Sequence, residues 1–450
     1  MEGQQRSRRV ILVPSPFQGH INPMLQLGAI LYSKGLCITV VHTQYNSADA
    51  SGHPHLQFIS IPDNLSDDEI SSPDKTTLVL ILNQKCEIPF RECLTQLMQD
   101  QATPGEIACV IYDELSYFCE PAAHDLRLPS VIFRTSNVIT FLVRGTMLRL
   151  RAEGRIPFSD PMSEELTPEH PPLRIKDMPF SYFAPFEVLF EMINNVRNMR
   201  RSLAIIYNTM NCIEESSITK LQQKIQIPVF GIGPIHKVVP TSSSSLLEED
   251  ANCMQWLDKQ TPNSVIYVSL GSMASTNEKE IAEMAWGLAN SKQPFLWVVR
   301  PGSIQGSECI EALPEGFKEE VEDRGCIVKW APQKEVLAHK AVGGFLSHCG
   351  WNSTIESICE GVPMLCRPCF GDQKVTARYV SHVWKMGLHL ENELDRKELE
   401  KSVRMLMTDK EGEEIRERAM KLKVEAQLCI TEGGSSYRSL KELVEFIKSF

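Results

Sequence analysis

The stretch of sequence that decides the fold covers residues 330–373: WAPQKEVLAHKAVGGFLSHCGWNSTIESICEGVPMLCRPCFGDQ. Its apolar run at 342–346 predicts a buried strand, and the pattern at 354–360 is typical of a helix. Between them, positions 347–353 hold the segment SHCGWNS, which is rich in hydrogen-bonding side chains. An open parallel sheet binds ligands at such junctions, at the carboxyl ends of its strands. The stretch therefore predicts an α/β domain with a ligand site at this edge.

The side chains of the stretch indicate what that ligand is. A helix that starts at the junction presents backbone amides and about half a unit of positive charge, which suits a phosphate group. The stretch opens with the indole of Trp330 and closes with Asp372 and Gln373. An indole offers a flat apolar face to a base, and carboxylate and carboxamide groups make directional hydrogen bonds to a polyol. These features together predict a sugar-nucleotide site.

Length and composition describe an ordinary globular chain with room for two domains. It has 450 residues, of which 42% are apolar and 23% charged. The 46 basic and 57 acidic residues give a formal net charge of -11, which argues against nonspecific binding of nucleic acid or of an anionic membrane. The sequence shows no secretory signal, and no run reaches the about 20 apolar residues of a membrane span. We therefore expect a cytoplasmic protein with reduced cysteines.

Strand-like apolar runs alternate with helical patterns, which favours the α/β class with doubly wound parallel sheets. In the first part of the chain, the predicted strands are residues 9–13, 37–42, 58–61, 107–112, 130–133, 203–207 and 229–232. In the second part they are residues 264–270, 295–299, 326–329, 342–346 and 364–366. The first helix is expected at 22–34, after a loop at 14–20.

A serine run at 241–245 marks the expected boundary between two domains. The predicted division is an N-terminal domain at 1–240, a linker at 241–250, a C-terminal domain at 251–435 and a final helix at 436–450. That helix has an apolar face, so we expect it to pack back onto the N-terminal domain. Residues 156–179 are rich in proline and charge and are expected to form a long loop or lid over the first domain.

These motifs resemble the plant family 1 glycosyltransferases, which use UDP-sugars and act on small secondary metabolites or hormones. The resemblance rests on residues 330–373 and extends from PFQGHINP at 16–23 to the final helix. It implies the GT-B fold, in which two Rossmann-like domains face each other across a cleft, and an inverting transfer of a sugar. The N-terminal domain would bind the acceptor, and the C-terminal domain would bind the UDP-sugar.

The family pattern also implies which residues bind the donor. Base and ribose would be held by Trp330, Ala331, Gln333 and Glu356, the diphosphate by Ser272, His348, Asn352 and Ser353, and the sugar by Trp351, Asp372 and Gln373. Taken alone, Trp330 would more often be a core residue and Asp372 a solvated loop acid, but their joint spacing favours the site. In this family, glutamine at the last position usually accompanies glucose and histidine usually accompanies galactose. The resemblance therefore implies UDP-glucose.

Catalysis by direct displacement at the anomeric carbon needs a base, because a neutral hydroxyl is a poor nucleophile near pH 7. The family pattern implies that His20 is this base and that Asp113 fixes its tautomer. Without the resemblance, a helix cap would be the preferred role for His20. No carboxylate pair has clear metal spacing, so we expect no metal and no cofactor besides the UDP-sugar co-substrate.

The acceptor is expected to be a small apolar aglycone such as a flavonoid, terpenoid, phenolic or hormone, attacked through a hydroxyl, carboxyl or amine. Its candidate contacts are Phe17, Phe90, Phe118, Thr135, Ser136 and Phe141, each of which is as readily part of the core. The family norm implies a monomer.

A UDP-sugar epimerase or hydrolase on the same fold stays open as an alternative, and UDP release with and without a phenolic acceptor would separate the two. A non-catalytic UDP-sugar sensor is disfavoured by the presence of His20 and Asp113. A serine hydrolase and a dinucleotide oxidoreductase are weaker still, because the sequence lacks a Gly-x-Ser-x-Gly elbow and, in the first βα unit, a Gly-x-Gly-x-x-Gly turn.

Overall fold

The computed structural model describes residues 8–72, 74–100, 105–180, 184–198, 201–239, 247–273, 276–304 and 313–450. The chain divides into two units. Unit 1 comprises Met1–Ser159, Phe180–Leu246 and Leu428–Phe450, and unit 2 comprises Asp160–Pro179 and Leu247–Gln427. The serine run at 241–245, expected as a linker, lies outside the described residues.

In the described part of unit 1, seven strands form a parallel sheet. They are β1 (Arg8–Val13), β2 (Cys37–Thr43), β3 (Gln57–Ile61), β4 (Glu106–Asp113), β5 (Ser130–Arg134), β6 (Ala204–Tyr207) and β7 (Val229–Gly231). Their spatial order is β3-β2-β1-β4-β5-β6-β7. The chain thus builds outward from β1 to β3 and then crosses back to β4, so the order reverses between β1 and β4. Such a reversal is where an open α/β sheet binds ligands.

Unit 2 repeats this plan with six strands, counted over its described residues. They are β8 (Val265–Ser269), β9 (Phe295–Val298), β10 (Gly325–Val328), β11 (Val342–Ser347), β12 (Met364–Cys366) and β13 (Gly387–His389). The order β10-β9-β8-β11-β12-β13 reverses between β8 and β11. The sequence did not predict β13, because its three residues begin with glycine and form no apolar run. Two Rossmann-like parallel sheets confirm the predicted fold class.

Helices connect the strands and cover the sheets. In chain order they are α1 (Gln18–Ser33), α2 (Asp67–Ser71), α3 (Lys75–Gln99), α4 (Cys119–Asp125), α5 (Val138–Ala152), α6 (Phe186–Arg197), α7 (Asn211–Gln222), α8 (Asn252–Asp258), α9 (Glu278–Ser291), α10 (Phe317–Val321), α11 (Gln333–Ala338), α12 (Trp351–Glu360), α13 (Asp372–Arg378), α14 (Arg396–Thr408), α15 (Lys410–Ile430) and α16 (Ser435–Lys448). The final helix α16 belongs to unit 1, where Leu440, Leu443 and Ile447 are buried in the core cluster that contains Val10 and Leu12 of β1.

Helix α1 begins earlier than the sequence indicated. The spacing of apolar residues predicted a helix at 22–34, but the structure starts the helix at Gln18. The carbonyl of Phe17 accepts hydrogen bonds from the amides of His20, at 2.8 Å, and Ile21, at 2.9 Å, so the first turn of the helix is already closed. His20 therefore lies in the first turn of a helix and not in the preceding loop.

The segment expected as a lid over the first domain belongs instead, from Asp160 to Pro179, to unit 2. Arg174 donates to Glu391 at 2.9 Å, and Arg378 donates to the carbonyl of Pro172 at 3.0 Å. The charges that suggested an exposed loop are used in ion pairs within unit 2.

Candidate functional site

The reversal point of unit 1 brings His20 and Asp113 together. His20 follows β1, and Asp113 is the last residue of β4, which pairs directly with β1. Nδ1 of His20 lies 2.8 Å from Oδ2 of Asp113. The side chain of Asp113 is fully buried, whereas that of His20 is 21% exposed. Solvent thus reaches part of the imidazole but not the carboxylate to which it is hydrogen-bonded.

This contact fixes the tautomer of the ring. A carboxylate accepts hydrogen bonds, so Nδ1 carries the hydrogen and Nε2 carries the lone pair that can accept a proton. The hydroxyl of Thr135 lies 2.9 Å from the same Nδ1, and the other oxygen of Asp113 accepts from the amide of Leu115 at 2.9 Å. The imidazole is therefore oriented by two side chains, and its carboxylate by the backbone.

The loop after β4 is held by residues that sequence reasoning missed. Asn83 of α3 donates to the carbonyl of Leu115 at 2.7 Å and accepts from the amide of Phe118 at 2.8 Å. The hydroxyls of Ser15 and Ser116 lie 2.8 Å apart in the interior and tie this loop to the one that leads to His20. A single asparagine inside a helical pattern gave no signal of this role.

Two of the six candidate acceptor contacts lie beside His20. Thr135 hydrogen-bonds its ring, and Phe17 packs edge-on to it with ring centroids 6.0 Å apart. Phe90 and Phe118 pack against each other with centroids 5.5 Å apart, and both are buried, Phe90 completely. They are core residues of the α3–α4 packing, because both rings are enclosed by apolar neighbours.

The other two candidates, Ser136 and Phe141, belong to a charged region of the interior. Ser136 donates to Glu114 at 2.8 Å, and the ring of Phe141 lies under the guanidinium groups of Arg134 and Arg197.

The reversal point of unit 2 encloses His348 between glycines. β8 and β11 pair there, with Ser269 opposite Ser347, so Ser272 and His348 follow neighbouring strand ends. A Cβ atom on Gly271 would lie 2.6 Å from the ring of His348, and one on Gly350 would lie 2.4 Å from its Nε2. Burial lowers the pKa of His348 to about 4, against the opposing effect of a hydrogen bond with the Ser269 carbonyl. His348 is therefore neutral at pH 7.

Helix α12 starts at Trp351, three residues before the predicted start, with Gly350 as its N-cap. Asn352 and Ser353 thus fall in its first turn, which directs backbone amides toward the junction. Gln333 joins this turn to α11, because its Nε2 donates to the Ser353 hydroxyl at 2.9 Å and to the Glu356 carboxylate at 2.7 Å. The structure therefore brings Gln333, Ser353 and Glu356 together.

Gln373 hydrogen-bonds the backbone of the loop that precedes it through its side-chain oxygen. Its Oε1 accepts from the amides of Cys369 at 2.9 Å and Phe370 at 3.1 Å. Asp372 starts α13 and is partly exposed. Trp351 is buried beside Trp384, with ring centroids 6.2 Å apart.

The remaining predicted donor residues differ in exposure. Trp330 is half-buried, and Ala331 is buried. Within the described ranges, no three His, Cys, Asp or Glu side chains are grouped so that they could hold a metal ion. None of the described helices is both long enough and apolar enough to span a membrane.

Comparisons with known proteins agree on the family that the chain resembles. Residues 246–424 match the family model described as UDP-glucoronosyl and UDP-glucosyl transferase. The chain is 48% identical over 451 residues to UDP-glycosyltransferase 76B1 of Arabidopsis thaliana, covering 100% of both chains. It is 50% identical over 456 residues to the flavonol 3-O-glucosyltransferase UGT76E12 of the same plant, covering 100% of this chain and 99% of the relative. The solved structure of Medicago truncatula UGT71G1 complexed with UDP-glucose is similar with a TM-score of 0.83 and 26% identity, over 99% of this chain and 100% of that one.

Proposed function

The chain belongs to the plant UDP-glycosyltransferase family, and from this premise we propose that it transfers glucose from UDP-glucose to a hydroxyl group of a small, mostly apolar acceptor. Sugar transfer from a UDP-sugar is the reaction of the family, and the epimerase or hydrolase alternative finds no support among these relatives. Glucose and an aromatic acceptor are supported by a relative named as a flavonol glucosyltransferase and by a similar structure that contains UDP-glucose.

The observation that carries the proposal is the hydrogen bond between His20 and Asp113 at 2.8 Å. In the proposed reaction, Nε2 of His20 takes the proton of the acceptor hydroxyl while the oxygen attacks the anomeric carbon. Asp113 stabilises the imidazolium that forms, and Thr135 holds the ring in place. The bond from the anomeric carbon to the diphosphate breaks as the new bond forms on the opposite face, so the anomeric configuration inverts.

Unit 2 supplies the donor contacts in this proposal. The amides of α12, the neutral His348, Asn352, Ser353 and Ser272 receive the charge that develops on the leaving diphosphate. Trp330, Ala331, Gln333 and Glu356 hold uridine, and Trp351, Asp372 and the NH2 group of Gln373 face the glucose hydroxyls. Charge stabilisation is thus assigned to hydrogen-bond donors, and the proposal includes no divalent ion. A monomer in the cytoplasm stays a prediction, to be tested by size-exclusion chromatography and cell fractionation.

The test is a panel of flavonols, simple phenols and terpenoid alcohols, each offered with UDP-glucose and with UDP-galactose. Mass spectrometry of the products is expected to show a hexose added to at least one acceptor class with UDP-glucose, and little product with UDP-galactose. UDP release that is equally fast with and without acceptors would contradict the proposal. Turnover is expected to persist in EDTA, and loss of activity restored by added Mg²⁺ would refute the metal-free assignment.

A further inference from the structure

Three arginines of unit 1 gather in its interior: Arg134 at the end of β5, Arg144 on α5 and Arg197 at the end of α6. We refer to them as the arginine cluster. The guanidinium carbons of Arg134 and Arg197 lie 4.2 Å and 4.1 Å from the centroid of the Phe141 ring. The side chains of Arg134 and Arg144 are only 1% and 13% exposed. Burial, together with the charges of Arg134 and Arg144, lowers the pKa of Arg197 to about 10.

The acidic groups that face the arginine cluster do not balance it. Glu114 forms an ion pair with Arg134 and lies 3.7 Å from Nη1 of Arg144. The charge of Glu214 on α7 contributes to the raised pKa of Tyr207. The oxygens of Glu214 already accept hydrogen bonds from the amides that begin α5 and from a threonine. Among the residues that the structure describes, the three guanidinium groups therefore share the carboxylate of Glu114, while that of Glu214 is occupied by other donors.

Some donors of the arginine cluster, and the hydroxyl of the neighbouring Tyr207, make no hydrogen bond to any described residue. Nε of Arg134, Nη1 of Arg144 and the hydroxyl of Tyr207 are buried, and none has a hydrogen-bond partner among the residues that the structure describes. Burying a charged donor without a partner is costly, and such exceptions tend to occur at functional sites. Guanidinium groups are matched in geometry to a carboxylate, which accepts two of their hydrogens at once.

The arginine cluster lies close to the base of unit 1. Glu114 directly follows Asp113, and Arg134 directly precedes Thr135, which contacts His20. Burial by itself would raise the pKa of Glu114, but Arg134, Arg144 and Ser136 hold it below its usual range, and the charge of His20 adds to this effect. The cluster and the base are thus within electrostatic reach of each other. Arg144 and Arg197 are partly exposed, so the arginine cluster is not wholly closed to solvent.

We propose that the arginine cluster binds the carboxylate of an acidic acceptor, so that the enzyme favours small hydroxy acids over matched neutral acceptors. This inference rests on the proposed function, because the hydroxyl of the same acceptor would be the one that His20 deprotonates.

The experiment compares 3-(4-hydroxyphenyl)propanoate with its methyl ester, using UDP-glucose and measuring kcat/KM for the phenolic glucoside. Wild type is expected to favour the acid by about 10- to 100-fold, the range for a hydrogen bond between charged groups. Arg144→Gln is expected to bring the ratio of kcat/KM for the acid to kcat/KM for the ester close to one, and Arg144→Lys to keep part of the preference. Arg149→Gln is the matched control, because Arg149 lies on the same helix, is 45% exposed and pairs with Glu153. Arg149→Gln should leave kcat/KM unchanged for both the acid and the ester.

Inhibition by a non-reacting acid gives a second measurement, which does not require the acid itself to be glucosylated. The acid without the hydroxyl, 3-phenylpropanoate, is expected to inhibit glucosylation of the ester in wild type, and about 10-fold more weakly in Arg144→Gln. Equal kcat/KM for acid and ester in wild type, or an equal loss of both in Arg144→Gln, would overturn the inference. In either case, glucosylation of the ester would leave the proposed function standing, whereas failure of every acceptor with UDP-glucose would refute the proposed function itself.

Discussion

Both units place a histidine at the point where strand order reverses, and the two histidines have opposite surroundings. His20 of unit 1 hydrogen-bonds a buried carboxylate and is partly exposed. His348 of unit 2 is enclosed by Gly271 and Gly350, and burial lowers its pKa to about 4. The same residue type lies at the reversal point of each sheet, after the first strand in unit 1 and after the fourth strand in unit 2. In the proposed reaction, the one in unit 1 accepts a proton and the one in unit 2 stays neutral. The environment, and not the residue type, separates the two roles.

The two sites also differ in the chemical groups that form them. Unit 1 relies on buried side-chain charge, with Asp113 and Glu114 at the end of one strand and Arg134 at the end of the next. Unit 2 relies on glycines, a helix start and carboxamides such as Gln333 and Gln373. A polyanionic diphosphate is held well by backbone amides, whereas a proton transfer needs a titratable group.

The largest effect is expected from removing His20, the proposed base of unit 1. His20→Ala is expected to slow glucose transfer to an alcohol acceptor by about 10²- to 10⁴-fold, the usual contribution of a general base. Initial rates of glucoside formation measure the effect. His124→Ala, whose parent side chain is 57% exposed, serves as the control in the same unit and should keep the wild-type rate. Near-normal turnover in His20→Ala would refute the assignment of the base.

Gly271→Ala tests the role proposed for His348 in unit 2, because the added Cβ atom would collide with its ring. Gly271 and Gly302 have similar positive φ angles of +76° and +70°, but a Cβ atom at Gly302 would meet nothing within 4 Å. Alanine at either position should cost about 1–3 kcal/mol of stability through backbone strain. Collision with His348 should in addition weaken UDP-glucose binding by about 10-fold or more in Gly271→Ala alone. Calorimetric Kd values and thermal unfolding separate the two effects, and equal Kd values in both variants would rule out a role for the His348 enclosure.

Loosening the ring of His20 should have a smaller effect than removing it. Thr135→Val deletes an oxygen that accepts from the Nδ1–H of His20 but leaves Asp113 in place, so kcat should fall by about 3- to 10-fold with the KM for UDP-glucose unchanged. Thr135→Ser keeps the hydroxyl and should restore most of the rate. A rise in acceptor KM at constant kcat would instead show that Thr135 contacts the acceptor.

A change of pH should leave the donor side almost untouched. His348, with a pKa near 4, is neutral in the free protein throughout the range from about pH 5.5 to 8. Protonation of His348 therefore contributes nothing to binding in that range, and the Kd of UDP-glucose should vary by less than about 2-fold. If the diphosphate instead required an imidazolium, affinity would rise as pH falls, by up to about 10-fold per unit. Titrations at several pH values distinguish these outcomes.

The sequence predicted the parts of the molecule that are continuous along the chain. Strands such as β4 and β11 were found because strands buried on both faces read as unbroken apolar runs. The apolar run at 107–112 placed Asp113 directly after a strand, and the family resemblance implied its role. The early starts of α1 and α12 were missed, because the closing contact at Phe17 and the glycine N-cap at Gly350 leave no strong local signal.

What could not be predicted depends on contacts between distant residues. Thr135 was expected to touch the acceptor, and its contact with His20 joins separate βα units. Asn83 and the arginine cluster draw partners from several helices and strands, and Phe90 lies in the core because α3 packs on α4. Periodicity records which residues are buried but not which distant residues they meet.

Calorimetric titration of UDP-glucose into His20→Ala tests the central claim most directly, namely that unit 1 supplies the base and unit 2 alone holds the donor. The account predicts a Kd within about 2-fold of wild type in a variant that no longer transfers glucose, since all the proposed donor contacts belong to unit 2. Loss of UDP-glucose binding in His20→Ala, in a variant that still unfolds at the wild-type temperature, would contradict it.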